Sequence, residues 1–425
     1  MYLESVELTD VRTFAHLKWT LEADTPRAGW HVILGDNGSG KTTFLRAIAL
    51  AIIGAYDAPA ARVNARHFVA SDKDSAKMSI VVSGDSDWDE VAEALIKPGG
   101  QVQSGLTMHA DPIRFMTSPA GRGQSLADVK SGWFSAAFGA FRRFTGSSVN
   151  NKEVYSAFPR LEPFFSIFGE DVALTDVAEW LGQLRFRELE GLVEKNGKTG
   201  RQSLLAQIKV FVNQEGFLPF GARLESVSSE EIIFLDGNDA KVPLLELSDG
   251  YRSILSMTFE LVRLMAARYG DEKLFSTDGT QIVAPGVVLI DEVDAHLHPN
   301  WQRDIGPWLC RLFPNVQFIV TTHSPFVCQQ AIRGSIWKLP TPGTDEKFRR
   351  VEGEELARLI YGDALDALES AAIGVAHNRS AVAQEMMEEL AALDRRQTRG
   401  TLVESDRRRR EKLIEKLQPV LRGRL

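Results

Sequence analysis

The stretch Gly35-Asp36-Asn37-Gly38-Ser39-Gly40-Lys41-Thr42-Thr43 decides the fold. It fits G-x-x-x-x-G-K-[ST], the pattern of a phosphate-binding loop whose glycines let successive backbone N–H groups point at one anion. Residues 30–34 before it are typical of a buried strand. Residues 43–53 after it are typical of a helix, whose positive N-terminal end faces the same anion. The sequence therefore predicts a nucleotide phosphate site formed by Asn37, Gly38, Ser39, Gly40, Lys41, Thr42 and Thr43.

Two side chains of this loop have predicted chemical roles. Lys41 supplies a positive charge to the β- and γ-phosphates, and the hydroxyl of Thr42 is a potential ligand of Mg²⁺. A glycine-rich turn that binds nothing is the alternative, and the strand and helix on either side argue against it.

A second apolar strand, residues 285–290, ends in two carboxylates, Asp291 and Glu292. An apolar run of this kind favours a parallel sheet, and ligands gather at the carboxyl ends of its strands. We therefore predict that Asp291 holds Mg²⁺ and that Glu292 orients or deprotonates the attacking water. The alternative is a strand that merely stops at acidic turn residues.

Residues 313–322 repeat the pattern, an apolar strand that ends in polar residues and His323. A lone histidine is usually structural, but this one follows a strand of the same predicted sheet. We therefore predict that His323 hydrogen-bonds the γ-phosphate and takes part in catalysis with Lys41 and Glu292.

The segment Leu247-Ser248-Asp249-Gly250 precedes a predicted helix over residues 254–269. Ser248 suits the N-cap, and Gly250 allows close backbone approach. The motif is either a capped helix and nothing more, or a second phosphate site at Ser248 and Gly250.

Composition narrows the class of protein. The 425 residues are 44% hydrophobic and carry a net charge of −8, so the chain has no global basic field. From residue 395 onward, however, 11 Lys/Arg and 4 Asp/Glu leave +7. Cys310 and Cys328 indicate no disulfide framework. Without a signal peptide or a long apolar segment in the sequence, we expect a cytoplasmic protein and no membrane contact.

The motifs together resemble the ABC-type ATPases, in the branch of SMC, RecF and the overcoming-lysogenization-defect (OLD) proteins. Residues 247–250 are similar to the signature motif, with Asp249 where the common form has glycine. Ala295-His296-Leu297-His298 matches the D-loop, with His298 in place of the usual aspartate. This variant is similar to OLD-like and anti-phage ATPases, including the ATPase subunit of Septu systems. The Q-loop stays open among Gln101, Gln103 and Gln124.

The resemblance implies an α/β fold, an ABC-type P-loop ATPase head with an N-terminal antiparallel β-subdomain and a parallel core sheet. Strand-like alternation over residues 3–21 agrees with that subdomain. The predicted domains are an N-terminal lobe with the Walker A loop, a helical insert, a C-terminal lobe with the signature, Walker B and switch histidine, and a basic helical tail. They cover residues 1–149, 150–225, 226–340 and 341–425.

By resemblance, the chain binds ATP and Mg²⁺, forms a homodimer or higher homo-oligomer around ATP, and regulates a separate effector, a nuclease in anti-phage defence. One rival hypothesis is a DNA-repair ATPase of the RecF/SMC kind that binds DNA itself. Another is a transporter-associated ATPase, although the motif spacing is long for that class. The basic tail either contacts nucleic acid or is a solvated face, and its lack of aromatic residues disfavours base stacking.

Overall fold

The structure is a computed structural model, and it describes residues 1–85, 87–89, 101–117, 133–140, 158, 160–169, 176–194, 203–228, 231–295, 297–362, 367 and 381–421. Among the described helices, none is both long and apolar enough to cross a membrane. The sequence pattern also predicts a short helix over residues 364–372 and a turn over residues 195–200. These residues, except Ala367, lie outside the described residues, as do His296 and Gln124.

An antiparallel sheet opens the chain, as the sequence predicts. Its strands lie in the order β2-β1-β4-β5-β6. The bounds are β1 Tyr2–Val11, β2 Phe14–Thr20, β4 Ser75–Ser83, β5 Gln101–Ala110 and β6 Ile113–Thr117. The last two strands were not predicted. β5 carries glutamines and a glycine among its apolar residues, so its sequence does not show the alternation of apolar and polar residues that is typical of a strand.

The central sheet holds the predicted phosphate loop. Its order is β14-β13-β3-β12-β11-β7, and all neighbours are parallel except β13 and β14. The bounds are β3 Gly29–Leu34, β7 Ser135–Phe138, β11 Gly286–Ile290, β12 Val316–Thr322, β13 Gly334–Lys338 and β14 Arg349–Arg350. The prediction of a buried parallel strand ending at Asp291 is confirmed.

The central sheet is buried on both faces, which explains its continuous apolar strands. In β11, Val287 and Leu289 join the core that includes α1 (Lys41–Ile53), whereas Val288 and Ile290 join the other core. The second core includes α6 (Asp249–Tyr269) and α7 (Pro299–Leu312). Because helices cover both faces of the described sheet, its strand ends are where a ligand is expected.

The remaining helices are α2 Ala65–Phe68, α3 Phe165–Phe168, α4 Asp176–Glu194, α5 Leu204–Val212, α8 Pro325–Cys328, α9 Gly353–Tyr361, α10 Ala381–Thr398 and α11 Glu404–Leu421. Helices α4 and α5 lie within residues 150–225, the range predicted for the helical insert. A small antiparallel sheet follows, with strands β8 Arg223–Val227, β9 Ile232–Leu235 and β10 Lys241–Pro243. The insert boundary proposed at residue 225 falls inside β8.

The tail differs from its prediction in two respects. It begins with a loop and strand β14 rather than a helix, and its last two helices pack against each other. Leu390 and Leu393 of α10 contact Leu413 and Leu417 of α11 in one small apolar cluster. The sequence spaces Leu413, Leu417 and Leu421 four residues apart, which predicts one apolar face on this helix, but it does not show which helix covers that face.

The arginines of α11 are largely paired inside this hairpin. Arg409 bonds Glu389 at 2.8 Å and Arg410 bonds Asp394 at 2.6 Å. Residues 381–421 contain nine Lys/Arg and eight Asp/Glu, a net charge of +1. The local +7 therefore overstates the basic field of the tail, because the acidic partners precede residue 395 in the sequence.

Candidate functional site

The phosphate loop lies between the end of β3 and the start of α1. Gly38 (φ 80°) and Gly40 (φ 98°) take left-handed backbone conformations, which let the chain turn back before the helix begins at Lys41. Packing also requires glycine at position 40, since a Cβ there would lie 2.5 Å from Cζ of Phe14. The first N–H groups of a helix have no partner within the helix, so the N-terminus of α1 offers donors to an anion.

Lys41 and His323 meet in this loop. Lys41 is buried, and its Nζ donates to the carbonyl oxygens of Gly35 at 2.9 Å and Asp36 at 3.1 Å. Nζ also lies 2.6 Å from Nε2 of His323. An ammonium group can only donate, so Nε2 accepts and the imidazole is neutral.

The electrostatics agree with this assignment. Burial lowers the pKa of His323, and the charge of Lys41 lowers it further. Burial also lowers the pKa of Lys41, against the opposing effect of Glu292 and Asp291. The ammonium of Lys41 therefore lies beside a neutral histidine and near the carboxylates of Asp291 and Glu292.

The carboxylate of Asp291 accepts hydrogen bonds from two threonines, one of which, Thr42, belongs to the predicted metal site. Its Oδ2 accepts a hydrogen bond of 2.7 Å from Oγ1 of Thr42, and its Oδ1 accepts one of 2.6 Å from Oγ1 of Thr321. The carboxylate is only 3% exposed. A hydroxyl and a carboxylate in contact provide the hard oxygen donors that Mg²⁺ prefers, so the residues present fit that ion.

The turn after β11 presents Glu292 and is fixed by β12. Glu292 has a φ of 43°, which few non-glycine residues adopt, and its N–H donates to Oγ1 of Thr321 at 2.8 Å. Two residues on, Oδ1 of Asp294 accepts from Oγ1 of Thr322 at 2.5 Å. The hydroxyls at the end of β12 thus hold the acidic turn. Sequence reasoning noted polar residues at this strand end but assigned no role to Thr321, Thr322 or Asp294.

The signature-like motif, residues 247–250, lies at the start of α6 and not at the phosphate loop. Ser248 is the N-cap of α6, and its side chain makes no capping hydrogen bond. Ser248 and Gly250 line a groove of about 550 Å³ together with Leu297, His298 and Trp301. No residue of the phosphate loop lines that groove. The predicted site residues therefore form two groups in one chain, one around Lys41 and one around Ser248.

His298 has a local structural role that the D-loop comparison did not include. Its side chain is the N-cap of α7, and Nδ1 accepts from the N–H of Asn300 at 3.3 Å. Of the Q-loop candidates, Gln101 and Gln103 lie in β5 of the antiparallel sheet, and Gln103 donates to Oγ of Ser79 at 3.3 Å. No contact joins them to the site in the described part of the chain, so the Q-loop stays unassigned.

Two contacts at the phosphate loop had no sequence signal. Nη1 of Arg12 lies 3.4 Å from Oγ1 of Thr43, and Arg12 itself has a φ of 49°. Oγ1 of Thr341 donates to Oδ2 of Asp36 at 2.9 Å, across 305 residues of sequence. Single residues at such separations carry no local pattern, and only the fold brings them to the loop.

Two family models match the chain. Residues 5–92 match a model described as "AAA domain", and residues 149–329 match one described as "AAA domain, putative AbiEii toxin, Type IV TA system". The first match contains the phosphate loop, and the second contains the signature-like motif, Asp291, Glu292 and His323.

Curated relatives confirm the resemblance predicted from the motifs. The chain is 37% identical over 137 residues to the "Retron Ec83 probable ATPase" of Escherichia coli, which covers 32% of this chain and 24% of that protein. It is 26% identical over 338 residues to the "Septu protein PtuA" of Bacillus mycoides (strain KBAB4), which covers 79% of this chain and 40% of that protein. The matches therefore span less than half of each relative.

A solved structure confirms the fold class. The Smc head domain with an extended coiled coil from Pyrococcus furiosus, bound to the C-terminal domain of ScpA, superposes with a TM-score of 0.50. The superposition covers 85% of this chain and 98% of that one, at 16% sequence identity. At this identity the similarity concerns the α/β fold alone.

Proposed function

We propose that this chain binds and hydrolyses ATP with Mg²⁺, and that its active form is a homodimer around two ATP molecules. The observation that carries the proposal is the hydrogen-bonded cluster at the strand ends. Thr42 bonds Asp291 at 2.7 Å, and Lys41 lies 2.6 Å from His323. Residues from β11, β12 and the phosphate loop, far apart in sequence, thus meet at one point.

Each residue of the cluster has a role in this proposal. The N–H groups of residues 38–43 and the ammonium of Lys41 bind the phosphates, and Lys41 gives up its contacts to Gly35 and Asp36 to do so. Thr42 and Asp291 hold Mg²⁺, which when bound neutralises phosphate charge. His323 accepts from Lys41 in the structure. Once Lys41 turns to the phosphates, the neutral ring carries its proton on Nε2 and donates a hydrogen bond to the γ-phosphate.

Glu292 performs the proton chemistry. The backbone of Glu292 has a positive φ and is held by a hydrogen bond to Thr321, and this conformation sets the orientation of the carboxylate at the strand end. The carboxylate orients a water molecule and takes its proton as the water oxygen bonds to the γ-phosphorus. The bond to the β-phosphate oxygen breaks, and the products are ADP and phosphate.

The separation of the two groups of site residues supports the proposed dimer. Ser248 has no capping bond to its own helix, and its groove includes no residue of the phosphate loop. A hydroxyl and a helix N-terminus of this kind suit a γ-phosphate presented by a second copy. We propose that Ser248 and Gly250 complete the site of the opposite protomer.

We further propose that dimer opening and closing regulates a separate nuclease in cytoplasmic anti-phage defence. The support is the similarity to Septu and retron ATPases, which the chain matches over only part of their length. The proposal gives the class of the partner, a nuclease, and does not identify an individual protein.

The test is phosphate release from ATP by the wild type and by Glu292→Gln. The amide is isosteric but cannot accept the proton, so we expect retained ATP binding and loss of turnover. Light scattering should then show an ATP-dependent dimer or larger assembly. Glu354→Gln is the matched control, because Glu354 is exposed on α9 and, among the described residues, its side chain bonds Arg358 of its own helix. Full turnover in Glu292→Gln would assign the water to another residue.

A further inference from the structure

A groove of about 720 Å³ borders the phosphate loop on the side of β2. One wall is the run of six consecutive residues 13–18, which is the start of β2 and the turn before it. The segment between β13 and β14, residues 340–348, is called the strap. All of its residues except Asp345 line the other wall of the groove. Gly38 and Ser39 lie at its end.

The β2 wall is an open strand edge. β2 is the terminal strand of its sheet and pairs with β1 on its inner side. In the described part of the chain, no strand pairs with its outer side. Because adjacent residues point to opposite faces of a sheet, a wall of six consecutive residues exposes the strand's backbone edge. Such an edge presents a row of N–H and C=O groups that can pair with another strand.

The strap is a fixed wall. Oγ1 of Thr341 donates to Asp36 at 2.9 Å, and the N–H of Leu339 donates to the carbonyl of Leu34 at 2.8 Å. Glu346 of the strap accepts from the N–H of Thr341 at 3.2 Å and from Lys338 at the end of β13 at 3.4 Å. The groove is therefore formed before any partner arrives.

The charges of the groove favour an acidic occupant. Lys18 and Lys347 are exposed on opposite walls, and neither has an ion pair within 4.0 Å among the described residues. The carboxylate of Glu346 is compensated by Lys338, and its pKa is lowered by the hydrogen bond from Thr341. Lysines on an edge strand disfavour its pairing with strands of most other proteins. Because their positive charges attract carboxylates, they favour pairing with an acidic segment.

The two phenylalanine rings of the groove are packed against neighbouring groups and are not available for stacking on a base. Phe348 is stacked on Trp337, with centroids 5.1 Å apart and planes 16° apart. Phe14 is 4% exposed and packs against Gly40. Binding of single-stranded nucleic acid depends on free aromatic faces, so these observations favour a polypeptide.

We propose that this groove binds an extended, acidic segment of a partner protein, which adds as a strand to the outer edge of β2. The inference rests on the proposed function, since it names the surface by which a partner would sense the ATP site. The bound segment would lie against Gly38 and Ser39 of the phosphate loop. Backbone pairing supplies the affinity, and Lys18 and Lys347 supply the selectivity.

The experiment uses the full chain and phage-displayed random twelve-residue peptides as the probe. We expect acidic, β-branched sequences to be enriched. A synthetic peptide of that sequence should bind the wild type and should bind Lys18→Glu/Lys347→Glu at least about tenfold more weakly. Lys77→Glu is the matched control, an exposed lysine on the interior strand β4 of the same sheet. Hydrogen exchange with the peptide bound should show protection of amides within residues 14–20.

Four outcomes would overturn the proposal: no enriched sequence, equal binding to the double variant, no protection in β2, or a labelled oligothymidylate binding in a Lys18- and Lys347-dependent manner. Each variant is also assayed for ATP turnover. If turnover is absent in the wild type, the proposed ATPase function fails, whatever the peptide does. If turnover is present and the peptide results fail, only the docking proposal fails.

Discussion

Replacing Thr321 by valine tests how the acidic strand end is held. Valine keeps the shape of threonine but lacks the hydroxyl. In the structure that hydroxyl donates to Oδ1 of Asp291 at 2.6 Å and accepts from the N–H of Glu292 at 2.8 Å. Thr321 is fully buried and Asp291 is 3% exposed, so water cannot readily replace the lost partner.

The size of the effect follows from these two bonds. A hydrogen bond to a charged group contributes about 1.5–3 kcal/mol, and a neutral one about 0.5–1.5 kcal/mol. The added methyl group of valine offsets about 0.8 kcal/mol through apolar burial. We therefore expect Thr321→Val to lower the free energy of unfolding by about 1–4 kcal/mol.

Urea denaturation followed by circular dichroism measures this loss, with Thr321→Ser as the matched control. Serine keeps the hydroxyl and loses only a methyl group, so it should retain phosphate release. Valine should reduce phosphate release, because Glu292 loses the bond that fixes its backbone. If Thr321→Val unfolds within about 0.5 kcal/mol of the wild type and turns over ATP normally, the account of this strand end is wrong.

Three further predictions concern other parts of the chain. Lys41→Ala should weaken binding of a non-hydrolysable ATP analogue by about 1.5–3 kcal/mol in isothermal titration, and unchanged affinity would remove Lys41 from the site. Burial lowers the pKa of His31 to about 4. Between about pH 6.5 and 4 the imidazole is therefore protonated in the unfolded chain but not in the folded one, so the free energy of unfolding should decrease as the pH is lowered through this range. Urea midpoints at pH 7 and 5 should differ less in His31→Gln than in the wild type; an equal difference would exclude His31 as the cause. Deleting residues 403–425 should leave basal ATPase activity largely intact, because α11 packs mainly on α10. A large drop in this activity with the fold preserved would show that the tail supports the catalytic core.

The sequence predicted the parts of the site that are continuous in the chain. The phosphate loop has its own pattern, and β11 and β12 are apolar runs that end in polar residues, so their contents are visible locally. A parallel sheet brings all three carboxyl ends to one edge, which is why Lys41, Asp291 and His323 could be placed together before their distances were known.

The parts that were missed depend on long-range contacts. Thr341 reaches Asp36 only because β13 lies beside β3, and no spacing rule in the sequence encodes that neighbour. Long-range contacts also change the net charge that the helical tail presents. Its arginines form a basic run in sequence, but Arg409 and Arg410 pair with acids of the preceding helix. Charge counted along the chain therefore differs from charge presented in space.

The most direct measurement is phosphate release from a mixture of two inactive variants, Lys41→Ala and Ser248→Arg. In a mixed dimer with shared sites, one site carries both substitutions and the other carries neither. Random pairing makes half of the dimers mixed, so an equimolar mixture should recover about a quarter of wild-type turnover if the sites act independently. Each variant alone should stay inactive. No recovery, with subunit exchange verified, would contradict the account of a dimer whose independent sites each combine Lys41 of one protomer with Ser248 of the other.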